Sequence, residues 1–353
     1  MKSIGICYSE QAIKVSNSHS RSDHHHRRNQ AEVFFSSSDS NLSPARPDST
    51  TNNYRVKLST GKEFIIKLTW RRSTTKQGVS VSISEYSPIF IAGSTESAIL
   101  LQRPRGIESL ELRGSRIEVC WDFCLAGYVS GPEPVDGFYV VILVDSEPGL
   151  ILGDVPRELE IGKRIPDTNS LEFKLISRCD LFSGADCYCS TTAKFCEGGK
   201  CHDILIELSG VDDDRRHGHG TMGTREPMLS VYVDKKSVVQ VKRLVWNFRG
   251  NQTIFLDGLC VDLMWDLHDW FFGGGLLSSS SLSLSSSSSS GYGVFLFRTR
   301  IGLDSRLWLE KNIDQEDVGF SLLICAYSQQ EGQPLLPQMT KNDEEPSRIL
   351  QQV

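Results

Sequence analysis

Apolar and polar residues alternate along most of the chain between Tyr54 and Ser328. Alternation with a period of two puts every second side chain on one face, so it predicts β-strands with one buried side. The clearest case is a face formed by Leu259, Val261, Leu263 and Trp265. The Asp257-Gly258 dipeptide before this segment is typical of a two-residue hairpin turn, because both turn positions need φ > 0.

Further segments also predict strands, either by alternation or by a continuous apolar run. Thr60-Gly61-Lys62 separates two alternating stretches, Tyr54–Leu58 and Phe64–Trp70, and this arrangement predicts a second hairpin. The run Phe138–Val144 is apolar at every position, which indicates a central strand buried on both faces. Alternating residues around Phe173 predict strands that cross from the first half of the chain to the second.

The alternation of apolar residues changes parity within one segment. Val239 and Val241 have one parity, whereas Leu244, Trp246 and Phe248 have the other. A β-bulge near Lys242-Arg243 would absorb the shift and keep both sets facing the core. The sequence therefore predicts a continuous, bulged strand with Trp246 and Phe248 directed inward.

Five blocks recur in the same order in the two halves, with matching Arg-Gly and Trp-Asp pairs. They predict an internal duplication of a four- to five-stranded antiparallel unit, whose copies share one interior and hold Trp121 and Trp265 at equivalent depths. The matched blocks are Phe64–Trp70 with Asp203–Leu208, Val79–Ile83 with Leu229–Val233, Leu110–Gly114 with Trp246–Gly250, Ile117–Phe123 with Val261–Leu267, and Gly137–Ile142 with Gly293–Arg298.

The predicted fold class is all-β, as an antiparallel β-sandwich or flattened barrel built from two related four- to five-stranded units. Polar, Ser-rich and charged segments with few hydrophobic residues predict disorder at both ends and in one loop. The one predicted helix is Asp304–Glu316. The expected organisation is a short N-terminal segment with an edge strand (1–17), a disordered linker (18–53), a single β domain (54–328, with unit one at 54–154, unit two at 171–328 and a Ser-rich loop at 273–291) and a disordered tail (329–353).

Charge and hydropathy narrow the functional classes. The 353 residues carry a net charge of −6, from 38 basic and 44 acidic side chains, so DNA binding is not expected. No run of 18 apolar residues occurs, and the N-terminus lacks the apolar stretch of a signal peptide. We therefore expect an intracellular protein of the cytoplasm or nucleus, without a transmembrane segment and with reduced thiols.

The ten cysteines include a group that resembles a metal site only in composition. The candidate ligands lack the C-x2-C spacing that directs two sulfurs at one zinc ion. Semi-buried thiols are the alternative, and we predict no metal and no cofactor. The candidates are Cys187, Cys189, Cys196, Cys201 and His202.

Candidate catalytic residues come from the duplication. Asp122 and Asp266 follow equivalent tryptophans, and His268 lies nearby; two converging carboxylates suit general acid–base chemistry. The alternative is that each Asp accepts hydrogen bonds from the turn that follows it. No established catalytic motif accompanies the three residues.

Basic residues surround Trp246 and Phe248. Because these aromatics have core parity, the sequence predicts a basic outer face over a packed inner one. Such a face suits an acidic protein partner or an anionic headgroup. The candidate binding residues are Lys235, Lys236, Lys242, Arg243 and Arg249.

Long motifs in the chain closely resemble the plant family catalogued as domain of unknown function 868. They are SIGICYSEQAIKVS, the TWRR at Thr69–Arg72, CWDFCLAGYVSGPEPVDGFYVVIL, VKRLVWNFRGNQTIFLDGLCVDLMWDLHDWFF and FSLLICAY. The resemblance covers about residues 3–16 and 54–328, and it implies a plant protein with a β-rich fold. It supplies no catalytic or binding residues. The chain departs from the family pattern in the Cys-rich region 179–201 and in the Ser-rich loop.

The function predicted from the sequence is a non-enzymatic binding or protein-interaction module of a plant cell, with a small apolar ligand between the sheets as one version. Two alternatives stay open. One is an enzyme that uses Asp122, Asp266 or His268. The other is a scaffold whose basic face docks an acidic partner or an anionic headgroup.

Overall fold

A computed structural model describes residues 43–72, 77–86, 96–129, 131–156, 172–184, 188–210, 226–272, 291–300 and 319–327. The strands of the first half are β1 (Ser49–Lys57), β2 (Glu63–Arg72), β3 (Gln77–Glu85), β4 (Ser97–Leu101), β5 (Arg105–Leu112), β6 (Ser115–Asp122), β7 (Tyr139–Val144) and β8 (Glu147–Gly153). The second half contains β9 (Glu172–Ser183), β10 (Tyr188–Ala193), β11 (His202–Ser209), β12 (Met228–Val233), β13 (Lys236–Val241), β14 (Arg249–Leu256), β15 (Leu259–Asp266), the helix α1 (His268–Phe272), β16 (Tyr292–Thr299) and β17 (Ser321–Tyr327).

These strands form three open sheets, which confirms the all-β prediction. The largest has nine strands in the order β14-β15-β16-β17-β9-β1-β2-β3-β4. The other two have four strands each, β10-β11-β12-β13 and β5-β6-β7-β8. The ladders between these strands are antiparallel except for the pairing of β17 with β9, which is parallel. No helix within the described ranges is long and apolar enough to cross a membrane.

Two hairpins have the tight turn that their dipeptides specify. In the β14–β15 hairpin, Leu256 pairs with Leu259, and Asp257 and Gly258 have φ values of 50° and 80°. The β5–β6 hairpin has the same geometry at Arg113 (φ 48°) and Gly114 (φ 83°). The hairpin predicted at Asp257-Gly258 is confirmed, as is the one between β1 and β2.

Two large hydrophobic clusters fill the space between the sheets. The first core lies between β1–β4 and the β5–β8 sheet, and Trp121 is one of its buried side chains. The second core lies between the β10–β13 sheet and strands β14–β17, and it contains Trp265. Two sandwiches therefore share the nine-stranded sheet. The predicted common interior is wrong, because the copies lie along one sheet and each tryptophan fills its own core.

The internal duplication is visible in the hydrogen bonds. Trp121 Nε1 donates to the carbonyl of Arg103 (2.8 Å), and Trp265 Nε1 donates to that of Asn247 (3.0 Å). Both bonds span 18 residues, and the two tryptophans are 144 positions apart. Each copy consists of two four-stranded meanders, β1–β4 with β5–β8 and β10–β13 with β14–β17, so the repeat is larger than the predicted four- to five-stranded unit.

The residue pairing between neighbouring strands corrects two of the matched blocks. Gly106 lies opposite Trp121, and Gly250 lies opposite Trp265, so Gly250 corresponds to Gly106 and not to Gly114. Likewise Trp121 lies opposite Val140. Trp265 lies opposite Phe295, which shifts the last matched block by one residue. Alternating apolar residues fix the parity of a strand but leave its offset along the neighbouring strand undetermined.

Residues 242–248 form a turn between β13 and β14, so the predicted bulged strand is wrong. Trp246 N–H and Asn247 N–H both donate to the carbonyl of Arg243, at 2.9 and 3.1 Å. Arg243 has a φ of 53°, which an extended strand does not permit. The bulge in this part of the sheet lies in the β12–β13 ladder instead, at Val231 and Tyr232.

The N-terminal boundary also differs from the prediction. Strand β1 begins at Ser49, inside the predicted linker 18–53, because its backbone pairs with β2 on one side and β9 on the other. Its polar residues predict a linker because alternation is measured with hydrophobic side chains, whereas backbone pairing forms the strand. The remaining organisational predictions fall mainly outside the described residues: the segment 1–17, linker residues 18–42, the Ser-rich loop, the helix Asp304–Glu316 and the tail.

Candidate functional site

The predicted catalytic aspartates each stabilise the turn that follows their strand. Asp122 Oδ1 accepts a hydrogen bond from Cys124 N–H (2.9 Å), and Asp266 Oδ1 accepts one from His268 N–H (2.9 Å). Arg249 Nε donates to Asp266 Oδ2 at 2.8 Å. The two aspartates lie in different sheets, at the ends of β6 and β15. Their contacts are those of the turn-stabilising alternative.

The third catalytic candidate, His268, begins α1. Its Nδ1 lies 2.7 Å from Asp269 Oδ1, and its ring is partly exposed. It also packs against Phe248 and Phe272, with ring centroids 5.6 and 5.3 Å away. The structure therefore brings Asp266 and His268 together through a backbone hydrogen bond, and it places the His268 ring in an aromatic cluster.

That cluster belongs to a surface which we call the Trp246 patch. Trp246 is 84% exposed, and the Arg249 guanidinium lies 5.7 Å from the centre of the Phe248 ring. The ring centroids of Phe248 and Phe272 lie 5.5 Å apart. The patch consists of Trp246, Phe248, Arg249, His268 and Phe272, with Lys242 and Arg243 on the adjoining turn.

The turn that carries Trp246 is fixed to the rest of the protein. Leu244 is fully buried in the second core, and its N–H donates to the carbonyl of Pro227 (3.0 Å). Asn247 Nδ2 donates to the carbonyl of Lys242 at 2.9 Å. The carbonyl of Asn247 accepts the Trp265 indole N–H, so both sides of Trp246 are held. The exposed ring is thus presented by an ordered backbone.

The first repeat shows that the fold does not require aromatic residues here. Phe123 N–H donates to the carbonyl of Pro104 as Leu267 N–H does to that of Phe248, so Pro104 corresponds to Phe248. By the same offset of 144 residues, Cys124 corresponds to His268. The β4–β5 connection (102–104) is four residues shorter than the β13–β14 turn (242–248), so Trp246 lies on a turn that is longer than its counterpart in the first repeat. Both repeats keep the bond from the Trp indole to a carbonyl and the backbone bond after it, and the first carries Pro104 where the second carries Phe248.

The five basic candidates do not form one face. Lys235 and Lys236 lie at one end of β13, and Lys242 and Arg243 lie just beyond the other end. A six-residue strand is about 20 Å long, so the two pairs are well separated. Arg243 lies 3.8 Å from Glu226 in an exposed ion pair. The patch keeps Lys242, Arg243 and Arg249, and the predicted core position of Trp246 is wrong because its turn directs the ring outward.

The metal-ligand candidates are dispersed. Cys187 lies outside the described residues, Cys189 is buried in the second core, and Cys201 is exposed. Cys196 is partly buried. Within the described part of the chain, no three His, Cys, Asp or Glu side chains are arranged to hold a metal ion.

His202, the remaining candidate, joins two hairpin turns. Its Nδ1 lies 2.9 Å from Asp234 Oδ2, and its Nε2 lies 3.0 Å from Asp257 Oδ2. Asp234 is in the β12–β13 turn, and Asp257 is in the β14–β15 turn, so the ring connects the two sheets around the second core. A cationic ring can donate to both carboxylates. The hydrogen bond from Lys200 Nζ (2.8 Å), followed by the one from His202, lowers the pKa of Asp234 below its ordinary value.

A buried polar cluster lies between the two repeats. Asp180 of β9 is fully buried and accepts hydrogen bonds from Thr50 Oγ1 (2.7 Å) of β1 and Thr191 Oγ1 (2.6 Å) of β10. Arg178 Nε donates to both Asp180 oxygens at 3.1 Å. Its Nη1 lies 2.6 Å from Glu133 Oε2, on the loop between β6 and β7. The cluster therefore connects groups from both copies.

Two more residues complete this cluster. Asn52 Nδ2 donates to Glu133 Oε1, while Asn52 Oδ1 is buried without a donor among the described residues. Burial raises the pKa of the Tyr54 hydroxyl well above its usual value, and the nearby Glu133 carboxylate adds to the effect. Sequence reasoning missed the cluster because Thr50 and Asn52 lay in the predicted linker. The Arg178-Cys179-Asp180 triplet, between the apolar pairs Leu175-Ile176 and Leu181-Phe182 of β9, was the available signal.

Comparisons with known proteins identify one family. A family model described as "Plant protein of unknown function (DUF868)" matches residues 45–328. The match covers both repeats and confirms the resemblance seen in the sequence motifs over that range. Searches of curated proteins and of solved structures found no match to the chain.

Proposed function

Because the chain belongs to the DUF868 family of plant proteins of unknown function, we propose from its own geometry that it is a non-enzymatic protein-interaction module that contacts its partner through the Trp246 patch. The observation that carries the proposal is the 84% exposure of Trp246 on a turn held at both ends. A large aromatic ring on an ordered backbone loses little entropy when it binds. Tryptophan and arginine are also the residues that contribute most often to binding hot spots.

The internal repeat supports this proposal. The bond from the Trp indole to a carbonyl forms in the first repeat with Pro104 at the position of Phe248, and with a connection (102–104) that is four residues shorter than the turn carrying Trp246. Since the first repeat folds with the shorter connection, the fold does not demand an exposed tryptophan at position 246. Contiguous exposed apolar surface with a polar rim marks interaction sites.

The charge around the patch indicates the kind of partner. Lys242 and Arg243 adjoin Trp246, and both are exposed. An acidic protein segment would place carboxylates near these side chains and an apolar residue on the indole, which also agrees with the scaffold alternative. The enzyme alternative gains no support from Asp122 and Asp266, whose contacts stabilise their own turns. A small apolar ligand between the sheets remains a prediction without a supporting contact.

A quantitative pull-down from plant-cell extract tests the proposal. The full-length protein is compared with Trp246→Ala and with Leu125→Ala, a control in the first repeat that removes an equally exposed apolar side chain (84%). We expect Trp246→Ala to lower recovery of the bound proteins at least about tenfold, as loss of a hot-spot residue does. Leu125→Ala should leave it unchanged.

Two further measurements complete the test. Both variants should unfold at the wild-type denaturant midpoint, because neither side chain is buried. Lys242→Glu combined with Arg243→Glu should reduce recovery of an acidic partner. Equal recovery with wild type and Trp246→Ala would overturn the proposal.

A further inference from the structure

The two repeats differ in how they protect an exposed sheet edge. Strand β14 lies at one end of the nine-stranded sheet, and its counterpart β5 lies at one end of a four-stranded sheet. β5 carries Glu108 and Glu111, whereas β14 has Gln252 and Phe255 at the corresponding positions. Charged side chains on an edge strand prevent pairing with another chain. Both strands begin with an arginine, but the two carboxylates that protect β5 are absent from β14.

The hairpin geometry shows which backbone groups of β14 face the edge. Leu256 and Leu259 flank a two-residue turn and therefore form a hydrogen-bonded pair, so alternate residues back along β14 direct their N–H and C=O groups away from β15. The Cys260 carbonyl agrees with this phase, since it accepts from Arg300 N–H of the β15–β16 side (2.9 Å). The edge-facing residues are Arg249, Asn251, Thr253 and Phe255.

The same four residues have their side chains on the face opposite the second core. Ile254 and Leu256 are buried in that core, whereas Phe255 is 75% exposed. No strand of the described residues pairs with this side of β14, so the exposed phenylalanine and the edge-facing backbone groups belong to one strip of surface. An exposed edge with an apolar side chain is a template for strand addition.

We propose that β14 pairs antiparallel with β14 of a second copy of this chain, about a two-fold axis at Gln252. In this register Asn251 lies opposite Thr253 of the second copy, and Arg249 lies opposite Phe255. Each of these pairs joins edge-facing residues, so the ladder gains about eight backbone hydrogen bonds. The opposed side chains also share a face, as antiparallel pairing requires.

The charge pattern of β14 favours a second copy as the occupant. Arg249 is the one charged residue of the strand, and the two-fold axis places it against Phe255 and away from the other Arg249. A guanidinium over an aromatic ring is attractive, and the axis generates this contact twice. Asp266, which pairs with Arg249, keeps the local charge balanced. The strip is thus complementary to itself, as a two-fold interface must be.

Native mass spectrometry and sedimentation across a concentration series test this proposal on the full-length protein. The test variant combines Gln252→Glu with Phe255→Glu, which restores the acidic pattern of β5. The control is Ile107→Glu, which adds charge to a 68% exposed position on the other edge strand. We expect wild type and the control to form dimers at high concentration and the double variant to remain monomeric.

Hydrogen exchange of the wild-type protein provides a readout that does not depend on the variants folding. Dilution should speed exchange of the Asn251, Thr253 and Phe255 amides, while Gln252 and Ile254 stay protected by β15. Wild type that remains monomeric to its solubility limit overturns the proposal. If that monomer still captures proteins through Trp246, the proposed interaction function stands. If the β14 edge instead pairs with a strand of another protein, self-pairing of this chain is wrong.

Discussion

Gly250 shows how a single residue fixes the packing of each repeat. A Cβ atom added there would lie 2.8 Å from Trp265 Cε2, and one added at Gly106 would lie 2.6 Å from Trp121 Cζ2. Both tryptophans are buried and held by an indole hydrogen bond. Gly250→Ala should lower the free energy of unfolding by about 1–3 kcal/mol, the usual cost of overpacking. Urea denaturation measures this change.

Gly78→Ala provides the control for that prediction. Gly78 lies in β3, and a Cβ atom added there meets no heavy atom within 4 Å. The control should therefore be close to neutral. If Gly250→Ala were as stable as Gly78→Ala, the indole would not be fixed against the strand, and the shared framework of the repeats would lose its main packing contact.

Asp234 makes stability depend on pH. Its hydrogen bonds from Lys200 and His202 lower its folded-state pKa below the ordinary value. The stabilisation is present above the unfolded-state pKa of about 3.9 and is lost as the pH falls toward the folded-state value. Denaturation from pH 6 to pH 3 should therefore show a smaller loss of stability in Asp234→Asn than in wild type.

A neighbouring carboxylate separates this effect from general acid sensitivity. Asp203 is exposed, and its backbone N–H, not its side chain, contacts Asp234. Asp203→Asn should follow the wild-type pH profile. Parallel profiles for wild type and Asp234→Asn would contradict the assigned role of the Lys200 and His202 hydrogen bonds.

Residue-level signals in the sequence were reliable where chemistry is local. The Asp257-Gly258 turn was predictable because two adjacent φ values decide it. Asp180 was not, because its partners Thr50 and Thr191 are 130 and 11 residues away. Parity predicts an inward Trp246 only if the strand continues through Arg243, and the positive φ of Arg243 is incompatible with an extended strand.

Strand β9 is the element that joins the two copies. It pairs antiparallel with β1 of the first repeat and parallel with β17 of the second. Its Asp180 receives hydrogen bonds from Thr50 and Thr191, on the strands β1 and β10. Asp180→Ala would leave those hydroxyls without their acceptor and the Arg178 guanidinium paired with Glu133 alone. The expected loss is about 3–5 kcal/mol in the free energy of unfolding, measured by chemical denaturation.

Asp154→Ala is the matched control, because Asp154 is exposed just after β8 and only its backbone N–H contacts Phe138. It should change the stability little. A similarly small effect of Asp180→Ala would mean that the buried cluster does not stabilise the β1–β9–β10 junction.

At the level of elements, alternation predicted strands well and their partners poorly. Which residues of β15 face inward follows from their order in the chain, and the structure agrees. Which sheet a meander joins depends on contacts between distant segments. The first meander of the first repeat joins the nine-stranded sheet, whereas in the second repeat the last meander does. Two copies of one pattern thus enter the sheet differently, and no local signal distinguishes them.

The whole molecule has two cores and one shared sheet, so its unfolding tests how strongly the repeats are coupled. The ladders of β9 and the contacts of Arg178 and Asp180 cross from one copy to the other. Leu175 packs against both cores. Because these contacts must break before either core opens alone, we expect a single cooperative transition.

Ile66→Ala tests this coupling from the first core, where Ile66 is fully buried. It should lower the free energy of unfolding by about 2–5 kcal/mol. Hydrogen exchange under increasing denaturant should show the same loss in peptides of β2 and in peptides of β11 and β12, which line the second core. Ile206→Ala, buried in that second core, should act reciprocally on the first. Adding Asp180→Ala should weaken the coupling of the two responses, because it removes the Asp180 hydrogen bonds to Thr50 and Thr191 and leaves the backbone ladders and the Leu175 packing. If Ile66→Ala as a single substitution left hydrogen exchange in the second core unchanged, each sandwich would unfold alone. Strand β9 would then join two independent bodies.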